Sequence, residues 1–444
     1  MIILSWNSLA GCFLTKLIYL VITAIFFPIY IQFQGRDAIT TGGLATMVLA
    51  FVFFIRHLLL REGRTVFKFL LFSLTVIGLI STFSVMPEFR DKSIRHFVEF
   101  FIGLLLFFIT CNYYRNITSS DEDRSSRLDE LVGFLLMMVA VQISIGLLVY
   151  FYPPSGKAFV LFVTRVENNL VTPFEWVEGV KRLRCLIGGG EELGELLAVL
   201  LPLLLYKTLF NHGSRFYYII LFLLYCLGIL LTATRSAILL SLLSTFVFLV
   251  WNYRNIRLPK ILALIYFFAF LIGATLYFSP AFYNLFVKVM LRFNVISETY
   301  AKTAQFSAVM NRQSTWEYAI QAVWPNLNLF GNGMLTILNG KPFNFHNLYL
   351  TLIYKFGIIG VIIHIALFLY ILVSLIRFVR HEHNDSISSL ASSCIISFSV
   401  FLINEIKFEF NRGASYQQII WVLFAIYWLA ANQVQIPTDN NKLR

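Results

Sequence analysis

The sequence places its chemistry-capable side chains at the borders between apolar runs and polar stretches. His346 stands in Phe343-Asn344-Phe345-His346-Asn347-Leu348-Tyr349-Leu350, where a polar loop turns into an apolar run that continues through Gly357 to Ile376. An imidazole at that border can take up or orient a proton near neutral pH, beside a substrate with an apolar tail. The same position also suits a residue that only anchors a helix end. Arg235 occupies Leu231-Thr232-Ala233-Thr234-Arg235-Ser236-Ala237, a tight turn between two apolar runs. A guanidinium with so little loop around it is costly unless it meets an anion, a carboxylate or a water-filled cavity. Arg184 precedes Gly188-Gly189-Gly190-Glu191-Glu192, where glycines let a backbone approach a ligand and helix-opening amides can donate to an anion. Glu191 and Glu192 would oppose a phosphate there. Arg312 and Trp316 lie one turn apart in Asn311-Arg312-Gln313-Ser314-Thr315-Trp316-Glu317-Tyr318-Ala319-Ile320. Trp316, Ala319, Ile320 and Val323 recur at helical spacing, which predicts an amphipathic helix on a membrane surface.

The elements that must position these groups are membrane spans. The chain has 444 residues, 58% hydrophobic and 13% charged, with 46 Phe and 21 Tyr, a composition outside the soluble range. We expect an all-α polytopic membrane protein forming one integral membrane domain over 1–444, with roughly 12 transmembrane helices. The expected spans are 11–33, 41–60, 67–86, 96–113, 129–152, 192–210, 216–232, 236–252, 259–279, 347–376, 387–405 and 415–431. Basic residues collect in alternate loops, including Arg61, Arg64, Arg124, Arg127, Lys207, Arg254, Arg257, Arg377 and Arg380. That alternation puts both termini in the cytoplasm. Two long loops, 153–190 and 280–346, then face the outer side of the membrane, the second with the amphipathic helix before the tenth span. They carry Arg165, Lys181, Arg182, Arg184, Lys288, Arg292, Lys302, Arg312 and Lys341. Positive charge on that face calls for an anionic partner. The net charge of +12 is spread over the loops, with no compact basic segment for nucleic acid. Five scattered cysteines form no disulfide framework, and no His/Cys/Asp set has metal-ligand spacing.

Arg184 before a glycine-rich turn, Thr232-x-Thr234-Arg235-Ser236, Asn311-Arg312-x-x-x-Trp316, Gly331-Asn332-Gly333 and His346-Asn347-x-Tyr349-Leu350 stand in one order. In that order they resemble the bacterial O-antigen ligases and polymerases over about 180–375. The spacing from His346 to Gly357 is similar to that of the ligase branch, whereas Gly190-Glu191-Glu192 departs from a family pattern that has an Asn in this segment. The resemblance implies a C-type glycosyltransferase fold in the bacterial inner membrane, with its active face periplasmic. The implied activity is inverting transfer of a glycan from undecaprenyl diphosphate to an acceptor hydroxyl, with no metal and no cofactor. The acceptor would be lipid A–core for a ligase or a lipid-linked repeat unit for a polymerase, with membrane lipids and a chain-length regulator as further partners. His346, Arg235 and Arg184 become the catalytic candidates. Arg312, Trp316, Asn347, Tyr349 and Arg182 become substrate contacts. A flippase or transporter for lipid-linked oligosaccharide is the other class. It calls for mid-membrane ionisable residues and repeat symmetry between halves, and the sequence shows no such repeat.

Overall fold

The computed structural model describes residues 16–28, 30–33, 36–59, 65–116, 121–164, 174–177, 180–210, 215–253, 316–321, 323–338, 340–381, 385–406 and 413–432. Among the described residues six helices are long and apolar enough to cross a membrane: Pro87–Cys111, Ser126–Phe151, Gly190–Phe210, Leu348–Arg380, Ile387–Asn404 and Ala414–Ala431. Shorter apolar helices accompany them at Lys16–Phe26, Thr41–Ala50, Phe69–Phe83, Phe216–Thr232 and Arg235–Trp251. The protein is therefore an all-α, multi-pass membrane protein. Every expected span contains one of these helices except 259–279, which falls outside the described residues, as do 280–315.

The helices used below are α1 (Lys16–Phe26), α2 (Thr41–Leu59), α3 (Thr65–Phe83), α4 (Arg90–Asn116), α5 (Asp121–Phe151) and α6 (Pro153–Thr164). They continue with α7 (Gly190–Phe210), α8 (Arg215–Thr232), α9 (Arg235–Trp251), α10 (Leu348–His381), α11 (Asp385–Asn404) and α12 (Ala414–Ala431). The first expected span, 11–33, is cut short. Pro28 cannot continue α1, and the chain turns into β1 (Tyr30–Phe33), paired antiparallel with β2 (Arg36–Thr40). Among the described residues two more hairpins follow, β3 (Phe174–Val177) with β4 (Val180–Leu183) and β5 (Ile337–Leu338) with β6 (Lys341–Pro342). The loop expected at 153–190 holds α6 as well, folded back so closely that Val149 Cα lies 2.5 Å from where a Cβ on Gly156 would stand.

Polar contacts give the bundle two distinct ends. Where α5 finishes, the Arg184 carbonyl comes within 2.5 Å of the Cβ position of Gly146. Where α7 begins, the Cβ position of Gly194 is 2.8 Å from Thr232 Oγ1 and 3.0 Å from Thr234 Oγ1, so α7 meets the α8–α9 turn. The Leu348 amide at the start of α10 donates to the Glu405 carbonyl just beyond α11 (2.9 Å). The opposite end is pinned by Lys207 of α7, whose Nζ lies 2.5 Å from Asp129 Oδ2 of α5 and 5.5 Å from the Tyr218 ring centroid. α7 and α12 run through the middle, buried over nearly their whole length, and Ser397 Oγ joins α11 to the Val199 carbonyl and to Tyr427 OH (2.7 Å).

Helix α10 breaks at Gly357, where φ is 65° and ψ is −170°. The loop 328–334 fills the break. Ile358 N and Ile359 N donate to the carbonyls of Asn328 (3.1 Å) and Leu329 (3.2 Å), and Asn332 N donates to Tyr354 O (2.8 Å). Ser81 Oγ of α3 donates to the Lys355 carbonyl and accepts from Gly333 N (3.1 Å). The Gly-Asn-Gly segment and Gly357 thus form one device: a loop supplies the backbone partners that the broken helix lacks.

Candidate functional site

His346 is half-buried, and its φ of 51° lies in the left-handed region that non-glycine residues seldom enter. Ala233, two residues before Arg235, has the same φ of 51°. Among the described residues these are the only non-glycine positions with positive φ; one is His346 itself and the other lies beside Arg235. Such strain costs of order 1–3 kcal/mol and persists where the surroundings over-determine the backbone.

The surroundings of His346 are built from its neighbours. Asn347 caps α10: its Oδ1 accepts from Leu350 N (3.0 Å) while its Nδ2 donates to Ile406 O (2.7 Å). Tyr349 OH donates to Leu402 O (2.9 Å). Both side chains, expected as substrate contacts, are engaged in fixing the first turn of α10 to the end of α11. On the other side Phe345 is fully buried with Ala319, Val323 and Tyr354. Trp316 opens the helical stretch 316–321 and is half-buried; Arg312 lies outside the described residues.

Arg235 is the first residue of α9 and half-buried, behind the cap residue Thr234. The turn before it is held by Arg182, 4% exposed, whose Nε donates to Thr232 O (2.8 Å) and Nη2 to Thr234 Oγ1 (2.7 Å). Its Nη1 stands 3.8 Å from Glu191 Oε1. Arg182 therefore positions the α8–α9 turn. Arg184 is different. Its guanidinium and the Glu192 carboxylate crowd Gly189, whose Cβ position is 3.4 Å from Arg184 Nη2 and 2.7 Å from Glu192 Oε2. A methyl group there would move the end of the Glu192 side chain and only touch the Arg184 guanidinium. The two glutamates expected to oppose a phosphate thus lie beside arginines, and the local charge is mixed. Burial pushes the nearby Cys185 thiol up to about 12.

A buried polar layer joins these segments. Glu195 and Glu405 have no exposed surface, and Tyr416 at the start of α12 is buried with Glu195, Glu405 and Glu192 in electrostatic range of its hydroxyl. Glu405 also acts on Tyr349. The layer runs from the Arg184 turn through Glu192 and Tyr416 to Glu405 and the first turn of α10. Its sequence signal was an ionisable residue inside an apolar run, as in Asn404-Glu405. His364 of α10 also stands inside an apolar run; it is fully buried among Phe100, Phe356 and Phe368, with Nδ1 2.8 Å from Gly360 O. Among the described residues no group of three or more His, Cys, Asp or Glu could hold a metal ion.

Fold and site together define a multi-pass membrane protein with arginine, glutamate and histidine side chains gathered at one end of its helical bundle. A family model described as O-antigen ligase matches residues 220–365, which supports the O-antigen ligase and polymerase superfamily for this chain. No curated protein matches it. The matched stretch takes in Arg235, Trp316 and His346 but leaves Arg182 and Arg184 outside.

Proposed function

We propose that the chain is a membrane glycosyltransferase of the O-antigen ligase type, moving a glycan from undecaprenyl diphosphate to an acceptor hydroxyl on the periplasmic face. The carrying observation is that the Arg184 turn, the Arg235 turn and the His346 segment meet at one end of the bundle, linked through Gly194, Thr234, Tyr416 and Glu405. In an inverting transfer the acceptor oxygen bonds to the anomeric carbon as the bond to the diphosphate oxygen breaks. Negative charge then develops on the leaving diphosphate, which Arg235 and Arg184 would neutralise with paired N–H donors that stay protonated. His346 would take or orient the acceptor proton. Lipid A–core is the acceptor of the ligase reading; a second lipid-linked repeat unit would make the same site a polymerase.

His346→Ala and Arg235→Ala should each abolish transfer while the protein inserts at normal levels. Surface polysaccharide resolved on a gel reads the outcome. Loss of attached polymer with lipid-linked glycan accumulating marks a ligase, and a single attached repeat unit marks a polymerase. Full activity in either variant would remove these roles.

A further inference from the structure

The loop that fills the break in α10 shows an unusual division of its groups. Inward, six of its backbone groups pair with protein: the Asn328 and Leu329 carbonyls with α10, Phe330 N with Asn328 Oδ1 (3.3 Å), Asn332 N with Tyr354 O, Gly333 N with Ser81 Oγ and Met334 N with Ser93 Oγ (3.1 Å). Outward, it presents apolar side chains: Trp324 is 72% exposed and Leu329 55%, with Leu327 and Phe330 also exposed. At the edge of the hydrocarbon both features fit together, because backbone at membrane depth is tolerated only where protein covers and pairs it while the side chains meet lipid.

The neighbours continue this surface. Ile358, Ile362, Ile365, Leu369 and Val373 form one exposed apolar stripe down α10, beginning at the residue bonded to Asn328. On the other flank α3 exposes Ile80 and Phe83 around the Ser81 that holds the loop. Length then sets the depth. At 1.5 Å per residue, Ile358 to Ile376 spans about 28 Å, close to a hydrocarbon core of about 30 Å, with Arg377 and Arg380 at its far border. The whole of α10, 34 residues, is far longer than one crossing needs.

We propose that residues 324–333 form a re-entrant segment seated in the upper edge of the hydrocarbon on the His346 side, with bilayer acyl chains as the partner of Trp324, Leu327, Leu329 and Phe330. The segment shields the first half of α10 from lipid. Through the adjoining Val323, which shares a buried cluster with Phe345, it ties the height of His346 to the leaflet surface. This placement is independent of the chemistry proposed above.

The test attaches an environment-sensitive fluorophore to Leu329→Cys, Phe330→Cys, Ile362→Cys and Lys341→Cys in the full chain, with the parent signal subtracted. The proteins are reconstituted in vesicles with and without brominated acyl chains. Probes at 329 and 330 should be quenched by brominated lipid as strongly as at 362 and be shielded from aqueous iodide, while 341 behaves oppositely. Iodide quenching at 329 and 330 equal to that at 341 overturns the proposal. So does insensitivity to both quenchers, which would mean a protein partner. Leu327→Cys serves in place of any variant that does not reconstitute.

Discussion

Arg182 and Arg184 are two residues apart, and from sequence both read as cations waiting for an anion. Their environments separate them. Arg182 spends its donors on the Thr232 carbonyl and the Thr234 hydroxyl, nearly out of contact with solvent. Charge-assisted bonds of this kind contribute about 1.5–3 kcal/mol each, and their loss leaves buried acceptors unpaired. Arg182→Ala should therefore lower the thermal midpoint of the purified protein as well as its transfer activity. Arg182→Lys, with one compact ammonium in place of a fork, should recover only part of either. An unchanged midpoint with lost activity would instead make Arg182 a direct substrate contact. The motifs around Arg235 and His346 were legible because each is local and sits where hydropathy changes. The partner of Arg182 was not, since Thr234 is 52 residues away in the chain.

Most helices were legible as well, because twenty apolar residues in a row permit little else. What hydropathy cannot show is where a helix is interrupted. The run from Leu348 onward reads as one apolar stretch, and only the carbonyls of 328–329 reveal that it is two helices. Alanine substitutions separate the two costs at Gly357. At Gly340, φ is 70° and nothing lies within 4 Å of an added Cβ, so Gly340→Ala meets only the left-handed backbone penalty of about 1–2 kcal/mol. At Gly357 the same methyl group would also stand 2.4 Å from both Asn328 O and Gly331 N. Gly357→Ala should thus unseat loop 328–334 and, with it, the first half of α10 that follows His346. The expected outcome is a much lower thermal midpoint and loss of transfer for Gly357→Ala, against a small shift with activity kept for Gly340→Ala. Similar behaviour in both variants would mean that the loop does not hold the break.

Across the whole molecule the two ends differ in kind. The end opposite His346 is closed by the Lys207–Asp129 pair and carries Arg127, Arg377 and Arg380. The His346 end mixes arginines with Glu191, Glu192, Glu195 and Glu405 and carries all three hairpins among the described residues. Short loops rich in Lys and Arg stay on the cytoplasmic side, so the first end should face the cytoplasm and the second the periplasm. Exposed positions report on this directly. Lys341 lies in the β5–β6 hairpin, and Ser126 lies near the start of α5. In spheroplasts a membrane-impermeant maleimide should label Lys341→Cys at once and Ser126→Cys only after permeabilisation. Cys185, on the periplasmic side of this arrangement, should stay quiet, because burial holds its thiol up near about 12 and thiolate is scarce at neutral pH. Immediate labelling at 126 with protection at 341 would invert the protein. The arginines and His346 would then face the cytoplasm, away from a glycan donor presented in the periplasm.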